Sequence, residues 1–403
     1  MRDLLAGGAG AAAEPVRRAV SARAAGGGWS AAGELPVPLL YWHGQYEGPV
    51  TLKDGRALAA GGAGRLLVSL DGSAVYGPGP GEWTVTGPLV EGRRLHSLTA
   101  LRDGRALAAG GVPGRQAFPW PTVSRAELFD PGNGIWRATT EMTEARAGHS
   151  ATVLGDGRVL VAGGQRRRSG RDMATLTTAE VFDPVHETWT ATGGMTVARW
   201  HHVTVPLPGG RVLAVGGLVS TALHSGAAAL GLCEVYDPGT GIWEPTGSLR
   251  VARAVHQAVP LPDGSVLAIG GEPGRAADDG RFHPYSLAST EIYDVTRGVW
   301  RPGPSLPWGR AYHRAVPAGD GVLVVGGTES ACLDVGFAST LRWSDGARRW
   351  SDAGPLATGR WAFGVTVLGD GRVLAVGGVS RVGTAAPSIS EDVPAVGAEV
   401  FAP

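Results

Sequence analysis

The chain has 403 residues, among them 65 glycines and 28 prolines, and its 36 basic and 36 acidic side chains cancel to a formal charge of zero. That balance lacks the basic footprint of a nucleic-acid binder, and no apolar run approaches the roughly 18 residues of a membrane span. Two cysteines, Cys233 and Cys332, are too few for a disulfide scaffold.

Residues 1–28 are low in complexity and read as a tail, compatible with a short helix over residues 14–24 between glycine-rich breaks. They lack the basic start, compact apolar core and cleavage site of a secretory signal, so a cytoplasmic location is expected. The folded domain is expected to span residues 29–403.

From there a single pattern recurs. Double glycines fall at Gly61–Gly62, Gly110–Gly111, Gly163–Gly164, Gly216–Gly217, Gly270–Gly271, Gly326–Gly327 and Gly377–Gly378. A turn precedes each, usually Asp-Gly, as at Asp54, Asp103, Asp156, Asp263 and Asp370. Asp-Gly between apolar runs predicts two strands joined by a type I′ turn. An aromatic then marks a third strand (Tyr76, Phe129, Phe182, Tyr236, Tyr293, Trp343, Phe401). Seven residues after each of the first six, a tryptophan marks a fourth: Trp83, Trp136, Trp189, Trp243, Trp300 and Trp350. Four strands per period of roughly 50 residues is the pattern of a propeller blade, which makes the fold all-β with seven four-stranded antiparallel blades.

The seventh repeat ends at Pro403 without its tryptophan, and Trp29 opens a matching segment at the other end of the chain. The N-terminal strand is therefore expected to close the last blade beside Phe401, leaving no open edge. The turn at Asp54 comes 25 residues after Trp29 instead of 20, so the first repeat carries a five-residue insertion.

The combination of Gly-Gly, aromatic and tryptophan in register over residues 29–403 resembles the kelch-repeat family, within the galactose-oxidase-like superfamily and with repeats of bacterial type. The resemblance implies a β-propeller whose ligands often bind at the mouth of the central channel, on the face carrying the loops after each double glycine.

Toward that face the sequence places an arginine ten residues after each tryptophan (Arg93, Arg146, Arg199, Arg253, Arg310, Arg360). A histidine follows three residues later in five of six repeats: His96, His149, His202, His256 and His313, with Phe363 in the last. Five equivalent histidines cannot all be one catalytic base, and a structural role is the simpler expectation for them. Glu127, Glu180, Glu234, Glu291 and Glu399 accompany the arginine in five blades, predicting a buried ion pair in each. Arg310 faces Leu341 instead and is expected to be free for an anionic or carbonyl-bearing ligand.

The position two after the arginine varies most, and it nominates His201, Tyr312 and, in the first blade, Tyr41 as groups converging at the mouth, with Trp200 and Trp361 as walls. Arg310–His313 is similar to the galactose oxidase segment that supplies a tyrosine and a histidine to copper, but the cross-linked cysteine of that family has no counterpart here. Arg166, Arg167, Arg168 and Arg171 form a basic loop suited to a carboxylate or phosphate. Glu272, Asp278, Asp279, His283 and Tyr285 in blade 5 are weak candidates for a divalent metal. The sequence requires no cofactor.

Two function classes follow. One is a recognition module binding a small polar or anionic molecule or a protein through Arg199, Trp200, Arg310, Tyr312, His313, Trp361, Tyr41 and Arg166. The other is an isomerase, lyase or cyclase, with His201 or His202 as acid/base, Arg310 and Arg199 stabilising negative charge and Tyr312 donating a hydrogen bond. Recognition is preferred, because no complete catalytic constellation can be read. Neither nucleic acid nor membrane is an expected partner.

Overall fold

A computed structural model of the chain describes residues 27–37, 46–64, 67–115, 120–169, 172–220, 227–273, 286–329, 335–344, 347, 349–382 and 393–403. Seven four-stranded antiparallel sheets form the ring expected from the repeats. Blade 3 is representative: Ser150–Val153, Val159–Ala162, Ala179–Asp183 and Thr188–Thr192 pair in that order from the axis outward. Second strands such as Val159–Ala162 are buried along their whole length, because a blade is covered on both faces by its neighbours.

In blade 7 the strands Gly364–Val367, Val373–Val376 and Gly397–Ala402 are completed by Gly28–Glu34 from the other end of the chain. Trp29 lies directly opposite Phe401, with their rings 5.4 Å apart. The same cross-strand aromatic pair recurs in every blade, from Tyr76–Trp83 to Trp343–Trp350. Most of the indole N–H groups donate to the preceding blade: Trp136 to Ser73 Oγ, Trp189 to the Thr140 carbonyl, Trp300 to that of Gly247, Trp350 to that of Pro304. Trp83 of blade 1 donates to Ala32 in the closing strand, and Trp29 to Thr340 Oγ1 in blade 6, so the seam is stapled on both sides.

The hairpin turns differ from the type I′ expectation. At Leu52–Arg56 only Gly55 has positive φ, its N–H reaches back to the Leu52 carbonyl, and Asp54 Oδ1 accepts the Arg56 N–H. A type I turn ending in a left-handed glycine suits a three-residue loop, with the aspartate fixing its start.

The double glycines join neighbouring blades. Their φ angles run from +56° to +67° at the first position and +93° to +103° at the second. A Cβ on Gly110 would lie 2.9 Å from the His149 ring of blade 3, and one on Gly111 would lie 2.9 Å from His96 Cβ of its own blade. Both the backbone angle and the missing Cβ are thus required for a histidine to sit between adjacent blades.

Candidate functional site

Four consecutive residues at each entry to the channel do four different jobs. The arginine comes first and is fully buried. In five blades its guanidinium reaches the glutamate of the third strand at 2.5–2.9 Å: Arg93–Glu127, Arg146–Glu180, Arg199–Glu234, Arg253–Glu291 and Arg360–Glu399. Each carboxylate also accepts two backbone N–H groups from the residues before its arginine, as Glu180 does from Thr143 and Glu144. The second residue is extended and pairs with the strand after the double glycine, as Trp200 does with Leu218. The third turns left-handed: Leu95, Gly148, His201, Val255, Tyr312 and Ala362 all have φ between +44° and +63°. Backbone bonds link these turns from blade to blade, Gly148 N–H to the Leu95 carbonyl and His201 N–H to that of Gly148. The fourth is the histidine, sealed beneath.

The third position supplies the pocket. Leu95, His201 and Tyr312, from blades 2, 4 and 6, line a cavity of about 200 Å³ at the channel mouth. Trp200 and Trp120 add indole walls, Ala63 and Leu67 contribute from blade 1, and Arg94 and Glu47 supply the charges. Burial lowers the Arg94 pKa, opposed by Glu47. Burial, reinforced by the Glu272 charge, raises that of the Tyr312 hydroxyl.

Glu47, counted back from the first strand of blade 1, stands where blade 2 has His96. Residues 46–50 lead from the five-residue insertion into the first strand of blade 1 and cross the channel. The Tyr46 hydroxyl bonds Thr204 Oγ1 of blade 4 at 2.8 Å, and its carbonyl accepts the Leu98 N–H of blade 2. The Glu47 carboxylate accepts the Leu95 N–H and lies 3.8 Å from His96 Nδ1. Past it, Tyr46, Pro49, Gln257 and Arg314 surround a second cavity of about 180 Å³. Burial pushes the Arg314 pKa down to about 10, again opposed by Glu47, and its Nε donates to the Phe363 carbonyl at 2.6 Å. Residues 46–50 therefore stand between two chambers of the channel.

Of the residues nominated from sequence, the structure brings His201, Tyr312 and Trp200 together. Trp361 does not line the cavity but backs it, its ring 5.6 Å from that of Tyr312. Arg199 is committed to Glu234 and to the Gly216 and Leu232 carbonyls. Arg310 is enclosed within blade 6, where it donates to the Gly326 carbonyl and Ser339 Oγ and stacks 5.5 Å from Phe337; burial lowers its pKa to about 10. No carboxylate among the described residues pairs with it, as the Leu341 exchange implied, but its full burial removes the expected access to a ligand. His202 bonds Ser150 Oγ at 3.0 Å, and His313 is buried against Gly270, away from the cavity that Tyr312 lines. Tyr312 and His313 thus do not share a chamber, which does not fit a copper pair. Arg166 pairs with Glu144 at 2.9 Å in a surface hairpin. Tyr41, Arg171, Asp278, Asp279, His283 and Tyr285 lie outside the described residues, and among the described residues no cluster of three metal-ligating side chains occurs.

Sequence reasoning missed Glu47, Arg94, Trp120 and Leu67. The five-residue insertion was the signal for Glu47, and the doubled arginine Arg93–Arg94 was the signal for Arg94.

The Kelch motif family matches residues 145–196. Human Kelch-like protein 34 is 28% identical over 62% of this chain and 37% of its own length. Kelch-like protein terF of Aspergillus terreus is 25% identical over 52% of this chain and 44% of its own. Alpha-scruin of Limulus polyphemus is 26% identical over 58% and 24%. The matched region thus spans less than half of each of these relatives. Among solved structures, a fungal alcohol oxidase of the AA5 family in complex with copper aligns with TM-score 0.68 at 16% identity, covering 93% of this chain and 76% of that one. YjhT aligns with TM-score 0.55 at 15% identity, covering 73% and 93%. At these identities the likeness is one of fold alone. No helix among the described residues is long and apolar enough to cross a membrane. Repeat, ring and relatives agree that this chain carries kelch-type repeats and folds as a seven-bladed β-propeller similar to that of the AA5 oxidase.

Proposed function

We propose that this propeller is a recognition module that seats one side-chain-sized group of a small polar molecule or a protein partner in the channel-mouth cavity and makes or breaks no bond. The observation carrying this reading is the cavity itself: about 200 Å³, assembled from separate blades, with indole and phenol walls and a charged floor. Ligand pockets of whole drug-sized molecules are larger, roughly 300–1,000 Å³. Of the residues an enzyme would need as acid/base and anion stabiliser, His201 lines the cavity, but His202, Arg199 and Arg310 are buried inside the blades and bonded there, away from it.

The test is a thermal-shift screen of small metabolites and short peptides against the full chain. Stabilising compounds are expected to lose their effect in Trp120→Ala and Leu67→Arg, and to keep it in Lys53→Glu at a hairpin turn away from the mouth. Mass spectrometry is expected to recover them unchanged. A compound consumed on incubation would establish an enzyme instead, and stabilisation indifferent to both mouth variants would move the site elsewhere.

A further inference from the structure

We propose that the hairpin turn of blade 5, on the face opposite the mouth, binds a guanidinium group, which pairs with Asp263 in a cavity that Ser265 leaves open. This site lies apart from the mouth cavity, and neither depends on the other.

Six of the seven hairpin turns carry an aspartate. In five of them it holds a guanidinium. Asp54 pairs with Arg56, Asp103 with Arg105, Asp156 with Arg158 and Asp370 with Arg372, each time the arginine two residues on, at 2.6–2.7 Å. Blade 6 has Val322 at that place, and there Arg342 of the third strand reaches Asp320 instead, at 3.1 Å. The guanidinium thus arrives by one of two routes. Blade 5 has neither: Ser265 follows Asp263 and Gly264, and Ile292 holds the register position of Arg342.

The backbone of the turn is unchanged. Gly264 has φ +84°, against +86° at Gly55 and +84° at Gly371. Asp263 Oδ1 accepts the Ser265 N–H as Asp54 Oδ1 accepts that of Arg56. Position 265 therefore directs its side chain as position 56 does, but serine stops at its hydroxyl, which also donates to Asp263 Oδ1, at 2.6 Å. In the other turns Oδ2 takes the Nε–H of Arg56, Arg105, Arg158 or Arg372. Asp263 Oδ2 has no such donor among the described residues. The space beside it is a cavity of about 400 Å³, where Pro208, Ile292 and Val295 offer apolar wall to a methylene stem and Asp294 adds a second carboxylate. Arg301 of the fourth strand stands in the lining but makes no ion pair with Asp263. A guanidinium suits the vacancy better than an ammonium, because its planar fork matches a carboxylate with two parallel bonds. Two sources carry this group, an arginine side chain of a partner protein and a small free guanidinium compound.

The experiment follows, by saturation-transfer NMR on the full chain, the capped peptide acetyl-Gly-Arg-Gly-amide, its citrulline and lysine counterparts, and ethylguanidine. The arginine peptide is expected to bind saturably at about millimolar concentration and about fivefold more tightly than the citrulline peptide, which has the same shape without the charge. Asp263→Asn keeps the turn's Oδ1 acceptor and is expected to weaken the arginine peptide about fivefold or more without changing the melting temperature. Ser265→Arg restores the arrangement of blade 1 and is expected to abolish the binding. An arginine peptide tighter than ethylguanidine assigns the site to a protein side chain, and ethylguanidine at least as tight assigns it to a small molecule; either result supports the proposal. It is overturned if the arginine peptide does not saturate, if the citrulline or lysine peptide binds as well, or if either variant binds it as the wild type does. Binding that appears only in Arg301→Gln overturns it too, because Arg301 would then already serve Asp263 as its guanidinium.

Discussion

Blade 6 explains what the arginine–glutamate brace requires. In the five braced blades the glutamate accepts a guanidinium and two backbone N–H groups. Blade 6 has Leu341 in place of the glutamate, and Pro307 occupies the position of Thr143, one of the two backbone donors in blade 3. Proline has no N–H to leave unsatisfied, so losing the acceptor and losing a donor go together. Pro36 stands at the same place in blade 1, where Ala74 replaces the acid. Arg310 alone keeps its charge, satisfied by a carbonyl, a hydroxyl and the Phe337 ring. The brace is therefore a unit, and its members should not be equally replaceable. Arg146→Met strands the buried Glu180 carboxylate and is expected to cost about 3–5 kcal/mol. Arg310→Met strands no charge and is expected to cost about 2 kcal/mol less, read from urea unfolding of both variants. Equal losses would mean that the carboxylate is not what makes the brace costly to break.

Closure depends on a single strand. Gly28–Glu34 covers the edge of Gly397–Ala402, sets Trp29 on Phe401 and takes the Trp83 indole bond from blade 1. A chain beginning at residue 37 is expected to melt about 10 °C or more below the full chain, and a synthetic peptide of residues 27–37 added in excess should restore most of that loss. Truncation without effect would show that the ring does not need this latch. The latch was readable beforehand because it completes a period: six tryptophans announce a seventh, and Trp29 is the residue that fits. The brace was readable for the same reason, since Arg and Glu rise and fall together across repeats. The crossing segment was not, because the insertion puts blade 1 out of step: counted back from Thr51, which pairs with Ala57 as Ala100 does with Ala106, Glu47 takes the place of His96 and Tyr46 that of Leu95, whereas counting forward from Trp29 led to Tyr41. Nor was the burial of Arg310, since a missing partner in sequence does not distinguish an exposed side chain from one enclosed among carbonyls. The left-handed turn at the mouth left one trace, Gly148, at a place otherwise held by residues that adopt that conformation at some cost.

The histidine ring is expected to make the whole molecule sensitive to mild acid. His96, His149, His202, His256 and His313 are all buried between blades. Burial, and then the positive charge of the neighbouring buried arginine, lowers each imidazole pKa: His149 to about 3, the other four well below the usual 6.5. The unfolded chain therefore binds more protons than the folded one from about pH 6.5 downward, and stability falls as pH drops through that value toward the folded pKa. Each imidazole costs about 1.4 kcal/mol by pH 5.5. Five together rival the entire stability of an ordinary domain, roughly 5–15 kcal/mol. Glu187, held near 2 by Arg137 and Arg105, acts lower: its contribution is intact above 4.5 and fades only as pH falls from there toward 2. The interval between pH 6.5 and 5 thus belongs to the histidines. The melting temperature is expected to fall steeply across it, with an uptake of about five protons on unfolding at its lower end. His313 offers a clean control, because neither of its ring nitrogens has a hydrogen-bond partner among the described residues and Phe363 fills the equivalent place one blade on. His313→Phe should fold at pH 7.5 and shift the acid transition to lower pH, with one proton fewer taken up. A melting temperature that stays level from pH 8 to 5.5 would mean that these imidazoles find a way to hold a charge between the blades.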